Sequence, residues 1–213
     1  RVDPFFSHTA TLFTIHNMAY HGLFEPGHAL EATGLPWNVY DVDGVEFHGR
    51  FSFLKGGIYY SDILNTVSPT YSLQIQEEEY GFGLQGLLRS RKDTLFGVLN
   101  GLDYRHWDPL NDTVIPERYG PDDPAGKRAC RVELCRTLGL SIGEDVPVIA
   151  MISRLTEQKG CDILLEILDR MMNLPAGFVL LGTGEPEYHE SFRERAERHA
   201  GRMSLTLKFD SDL

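Results

Sequence analysis

Apolar positions along this chain fall into two textures. Short continuous runs rich in β-branched and aromatic residues occupy residues 10–15, 63–67 and 95–99, and again 146–152, 178–181 and 204–209. Such runs, bounded by turn formers, predict buried strands. Between them, apolar residues recur at helical spacing over residues 54–60, 125–138, 161–172 and 187–199. In the third of these, Leu164, Ile167, Leu168 and Met171 form one predicted stripe. Ser68-Pro69 reads as a helix start, with serine as the cap and proline in the first turn. Glu77 to Tyr80 reads as a helix end with a solvated face, Ser90 to Asp93 as a charged turn, and Gly139 as a helix stop.

Strand and helix alternate, which predicts a parallel α/β architecture. Two stretches break the alternation. Residues 23–50 carry Pro26, Gly27, Gly34, Pro36, Gly44 and Gly49 and are expected to form a long excursion with little regular structure. Residues 103–124 combine Pro109, Pro116, Gly120, Pro121 and Pro124 with several aspartates and are expected to link two α/β blocks, residues 1–102 and 125–213.

Ligands of open parallel sheets gather where strands end. The polar residues just past the predicted strand ends are His16 and Asn17, Ser68, Asn100, Ser153 and Arg154, and the turn Gly182-Thr183-Gly184. They would line one cleft if the two blocks faced each other. Lys159 follows Arg154 by five residues and is expected at or near a helix N-terminus, where the macrodipole disfavours a cation. An incoming anion would remove that conflict. Arginine offers a planar fork and lysine a point charge, a pair suited to a diphosphate. Position alone leaves two readings open, an anion site and two solvated surface cations.

Charge sharpens the question. Lys and Arg number 20 against 31 Asp and Glu, a net charge of −11. Such a surface repels nucleic acid, so an anionic ligand needs a local cationic pocket. Cys130, Cys135 and Cys161 are an odd count without CxxC spacing, which indicates neither a disulfide framework nor a zinc site and suggests a reducing, cytoplasmic setting. No apolar run is long enough to span a membrane. The chain opens without methionine and reads as an excerpt from a longer protein.

Several familiar chemistries lack their motifs. "GTGEPE" misses the third glycine of a dinucleotide fingerprint and follows the second strand of its block. Its glycines fit either a close ligand approach or a tight turn. There is no GxxxxGK[ST] loop and no GxSxG elbow. His16 with His21 is weak metal spacing, and His16 alone could be a buried, hydrogen-bonded histidine.

Taken together, "TIHNMAYHG", "FSFLKGGIYYSDILNTVSPTY", "GFGLQGLL", "GVLNGLDYRHWDP", "ISRLTEQKGCDIL" and "LLGTGEP" resemble the bacterial glycogen synthase and starch synthase family, over nearly the whole chain. The "SRL..QKG" block alone would indicate only a retaining glycosyltransferase of GT-B fold. The resemblance implies parts of two facing Rossmann-like domains with parallel sheets. The first domain would bind the α-1,4-glucan acceptor and the second the ADP-glucose donor, with no metal and no further cofactor. It implies that Arg154 and Lys159 hold the donor diphosphate and that His16 contacts the transferred glucose. Asn17, Asn100, Ser153, Gly182, Thr183 and Gly184 would line the substrate site. His21 stands where many members carry glutamine. "GGIYYSD" is closer to bacterial than to plant members, which favours glycogen as product. A donor-contacting lysine–glycine–glycine loop and a glutamate segment of the family have no counterpart here, so the isolated chain is expected to be inactive. The rivals are a GT-B transferase using a UDP-sugar and a non-catalytic module that binds sugar nucleotide or glucan.

Overall fold

The computed structural model describes residues 4–211 and 213. The chain divides into two compact units, Arg1–Leu102 and Asp103–Leu213, and each contains its own parallel three-stranded sheet.

In the first unit, strand β1 (Leu12–Ile15) leads into β2 (Leu23–Phe24), helix α1 (Pro26–Thr33), β3 (Glu46–Phe47) and β4 (Arg50–Ser52). Then come α2 (Phe53–Tyr60), β5 (Ile63–Thr66), the short helices α3 (Pro69–Gln74), α4 (Glu78–Gly81) and α5 (Gln85–Ser90), and β6 (Leu95–Gly97). β5 lies between β1 and β6 and runs parallel to both. Ile15, Leu64 and Leu95 from the sheet meet Ile58, Ile75 and Leu88 from the helices in one buried cluster. Each fully buried side chain of this size contributes roughly 1.5–3 kcal/mol. The Ser68 hydroxyl caps α3 by accepting the Tyr71 N–H at 3.0 Å, as the sequence predicts.

The excursion is more regular than its sequence suggests. It carries α1 and a small antiparallel sheet in the order β2-β4-β3. Glu25 caps α1 by accepting the His28 N–H at 2.8 Å, and Gly34 closes the helix with a left-handed φ of 67°. The prolines and glycines therefore mark the ends of short elements rather than their absence. Lys55 pins the excursion to α2: its buried ammonium donates to the carbonyls of Val42 and Glu46. A buried cation is tolerated only when its donors are satisfied in this way. A second correction concerns Glu77, which precedes α4 rather than ending α3. Glu78 and Glu79 occupy the first turn of α4, where carboxylates are favoured.

In the second unit, residues 103–124 form no helix or strand. The carboxylates of Asp108, Asp112 and Asp123 each accept a backbone N–H two residues ahead, which gives this stretch its turns. α6 (Ala125–Thr137) follows, and Gly139 reverses the chain with φ 68°. The sheet is built from β7 (Val148–Ile152), α7 (Cys161–Met171), β8 (Gly177–Leu181), α8 (Pro186–Arg198) and β9 (Met203–Thr206). β8 is central, parallel to both neighbours and buried throughout.

The α7 stripe is shifted from its predicted position. Leu168 is fully buried with Cys161 and Met172, and Leu164, Leu165 and Met171 pack beside them, whereas Ile167 is 43% exposed. With Leu168 centred on the core, its neighbour Ile167 lies about 100° round the helix.

α7 and α8 are latched by Asp169. One of its carboxylate oxygens lies 2.9 Å from His199 Nε2 and the other accepts from Arg198 Nη1 at 2.9 Å. The hydrogen bond with His199, followed by the Arg198 charge, holds the Asp169 carboxyl below its ordinary range. Folding therefore favours the carboxylate. Its stabilisation is present above the unfolded value near pH 4 and is lost as pH falls through the lower folded value. Asp169→Asn should lower the melting temperature at pH 7, and thermal melts should show the gap to the parent closing as pH falls below the ordinary aspartate range. A gap that stays constant through the acid range would contradict this latch.

Candidate functional site

β7 and β8 do not splay at their carboxyl ends. The Ser153 N–H donates to Leu181 O at 3.1 Å, the Leu155 N–H to Thr183 O at 3.0 Å, and the Glu185 N–H to Leu155 O at 2.9 Å. A parallel bridge joins Leu155 to Gly184. The ladder thus continues past both strands and carries Arg154 between two bonded residues. Gly182 and Gly184 make this possible. A Cβ at 182 would lie 1.9 Å from Ser153 O, and one at 184 would lie 2.1 Å from Leu155 O. Both glycines are required by a neighbouring backbone of the protein itself.

Leu155 is fully buried and Arg154 is exposed. The Ser153 hydroxyl donates to Arg154 O at 3.0 Å. After Leu155 the chain makes a 3-10 turn, Glu157–Lys159, then Gly160 at φ 74° leads into α7. Lys159 therefore sits two residues before the helix, outside its first turn, and its exposed side chain escapes the repulsion expected of a cation within that turn. Among the described residues, neither Arg154 nor Lys159 has a side-chain hydrogen-bond or ion-pair partner.

No motif points to His189. From α8 its Nε2 accepts the Gly184 N–H at 2.9 Å and lies 3.4 Å from Thr183 Oγ1. It braces the turn at Thr183 and Gly184.

The first unit supports its strand ends with hydroxyls. Thr66 Oγ1 donates to Ile15 O at 2.7 Å, and the Val98 N–H donates to Thr66 O at 2.8 Å. His16 and Asn17 follow β1 directly. Asn17 Oδ1 accepts the Ala19 N–H at 3.0 Å, and Tyr71 OH accepts the Met18 N–H at 3.1 Å. With Met18 fully buried, the turn is held at both ends. His16 is exposed, which removes the reading of it as a buried histidine. The buried histidine is His21, stacked on Phe47 at 4.6 Å, with its imidazolium disfavoured by burial and then by His48. Asn100 is exposed, three residues past β6. Among the described residues no group of three or more His, Cys, Asp or Glu is arranged to hold a metal, and no helix is long and apolar enough to cross a membrane.

The structure thus groups Ser153, Arg154, Lys159, Gly182, Thr183 and Gly184 in the second unit, and His16, Asn17 and Asn100 at the sheet ends of the first. A cavity of about 810 Å³ beside α6, lined in part by Ile115, Leu134 and Val148, includes none of them.

A family model described as the starch synthase catalytic domain matches residues 1–90. A glycogen synthase of Pseudothermotoga lettingae is 46% identical over all 213 residues, which is 44% of that protein. One from Anaeromyxobacter is 46% identical over 203 residues, 95% of this chain and 42% of the relative. The catalytic domain of starch synthase IV from Arabidopsis thaliana, solved bound to ADP and acarbose, superposes with a TM-score of 0.88 at 31% identity. It covers 94% of this chain, which matches 42% of that one. By sequence and by fold the chain is similar to starch and glycogen synthases. It spans about 44% of the length of such curated relatives, and its two parallel-sheet α/β units are of the GT-B type.

The backbone contact at 182 is directly testable. Gly182→Ala must displace Ser153 O and should cost at least about 1–3 kcal/mol in chemical denaturation. Gly86, in α5 with open space where a Cβ would stand, is the control: its alanine variant should be neutral or more stable by up to about 1 kcal/mol. Equal effects at the two positions would count against the contact.

Proposed function

We propose that this sequence is the part of an ADP-glucose-dependent α-1,4-glucan synthase that carries the donor-diphosphate cations. The enzyme adds glucose to the non-reducing end of glycogen. The observation that carries the reading is the pair Arg154 and Lys159, two exposed cations without protein partners, the first braced by a continuous backbone ladder. The chain around them carries a net charge of −11. The similarity to glycogen synthases and to a starch synthase solved with ADP supports the choice of donor.

The chemistry follows from charge. Breaking the glucosyl–oxygen bond leaves ADP with one more negative charge than its ester carries. Fixed cations at that oxygen stabilise the transition state more than the bound ground state. They act at a braced strand end, so little reorganisation is needed as the charge develops. Retention of configuration then follows from front-face substitution: the acceptor hydroxyl attacks the face the phosphate leaves, and the departing phosphate oxygen takes its proton. No carboxylate nucleophile is required. His16, Asn17 and Asn100 serve the sugar side in this reading, and Ser153 and the 182–184 turn the donor side. The donor is ADP-glucose rather than a UDP-sugar, the partner is a glucan, the setting is cytoplasmic, and no metal takes part.

In a full-length synthase carrying this sequence, Arg154→Ala and Lys159→Ala should each lower kcat by about 10²–10³. Thermal stability should stay near the parent's, because exposed cations without partners contribute little to folding. ADP release from ADP-glucose with glycogen as acceptor is the assay. Turnover near the parent's in both variants would remove the assigned role. A faster reaction with UDP-glucose would favour the other donor class, and ADP-glucose binding without ADP release would favour a binding module.

A further inference from the structure

The 182–184 turn is held by two sets of contacts. On one hand, Thr183 O accepts the Leu155 N–H at 3.0 Å and the Gly182 N–H donates to Thr206 O at 3.0 Å. On the other, His189 Nε2 accepts the Gly184 N–H at 2.9 Å and stands 3.4 Å from Thr183 Oγ1. We propose that His189 is a positioning residue for the donor: its ring nitrogen fixes the 182–184 turn and, through the Leu155 N–H to Thr183 O bond, the backbone that carries Arg154. The inference rests on the donor-site reading of that turn and adds a residue the reading does not contain.

Three observations carry it. An N–H donor needs an acceptor, and only an unprotonated ring nitrogen can supply one. His189 Nε2 therefore holds a lone pair toward Gly184, which leaves its proton on Nδ1. Next, α8 does not need this imidazole to stay in place. Its start is formed by the Tyr188 and His189 N–H groups donating to Glu185 O, and Tyr188 and Phe192 anchor it in the core. Finally, the bond reaches a segment that is hydrogen-bonded to the residue after Arg154. Thr183 O and Leu155 N–H are 3.0 Å apart and Leu155 follows Arg154 directly. Without its acceptor, the Gly184 N–H would turn toward water and draw Thr183 with it. The ladder would loosen at the position that aims the guanidinium.

The test uses a full-length synthase carrying this sequence, with KM for ADP-glucose, KM for glycogen, kcat and melting temperature measured together. His189→Leu removes the acceptor at similar size. His189→Gln returns an acceptor at about the reach of Nε2. The leucine variant should raise the ADP-glucose KM by about three- to tenfold, the range expected for one lost hydrogen bond. Its glycogen KM should stay unchanged, and glutamine should restore the donor KM to within about twofold. If the leucine variant melts below the assay temperature, His189→Lys takes its place. Lysine can only donate, and it suits a half-exposed position. An unchanged donor KM in a variant without an acceptor, while Arg154→Ala still abolishes turnover, would overturn the role of His189 and leave the donor site standing. Glutamine as impaired as leucine would also overturn it, since the acceptor would then not matter. Full turnover in Arg154→Ala and Lys159→Ala would instead remove the donor-site reading, and the role of His189 with it.

Discussion

The backbone ladder that runs on past the ends of β7 and β8 is the constraint on which the candidate site depends. In most parallel sheets the chain turns away once the strand ends. Here two further hydrogen bonds tie Leu155 to Thr183 and Glu185, with side-chain-free residues at 182 and 184 where the backbones meet. Close approach has geometric consequences. Leu155 must enter the core, where it is fully buried, so Arg154 must face away from it. The 3-10 turn at Glu157–Lys159 then starts from a fixed point, and so does α7. On the other chain, α8 begins immediately after the turn, capped at Glu185. A single contact between two backbones thereby sets the origin of two helices and the direction of one arginine.

Several other arginines and lysines of the chain are used structurally. Arg91 gives its guanidinium to the carbonyls of Ile58, Tyr59, Ser61 and Asp62, which closes the end of α2. Arg131 bonds to the carbonyls of Gly143 and Val146, and Lys55 to those of Val42 and Glu46. In each case a long basic side chain reaches across the fold to backbone carbonyls, a structural use of charge. Arg154 and Lys159 are exposed and make no bond of this kind among the described residues.

How much of this the sequence discloses depends on which force decides each feature. The six strands of the parallel sheets are legible as continuous apolar runs, although the burial those runs predict holds throughout only for β8, while β1 has a single buried residue and β7 none. The Ser68-Pro69 and Gly139 signals are legible because a cap is a local event. The excursion is not. Its elements are short, and the approach to β3 is held by Lys55 through Val42 O and Glu46 O, a residue outside the stretch that shows nothing of its role until it folds back. The α7 stripe is half legible: helical spacing identifies the helix, but whether Ile167 or Leu165 faces the core is set by the sheet beneath. "GTG" is legible as a demand for glycine, while the reason for that demand is a strand end nearly thirty residues earlier. His189 gives no signal at all, since a histidine five residues after a glycine has no meaning until the helix turns it back. Tyr71 is similar, lying in "SPTY" for the sake of a turn that ends at Met18.

What remains is why two cations should stand at such a place. Exposed ion pairs contribute about 0–1 kcal/mol to stability, and an exposed cation without a partner contributes less. Folding therefore gives no reason for Arg154 or Lys159, although it gives a clear one for Leu155 between them. Solubility gives none either, because the chain is already strongly anionic. A flexible surface would serve a solvated charge equally well, yet Arg154 is placed on one of the most tightly determined pieces of backbone in the unit. In the proposed function that fixed backbone holds the cation where a ligand of opposite sign gains charge as it reacts, which is where a preorganised charge stabilises most. A diphosphate leaving a sugar is such a ligand.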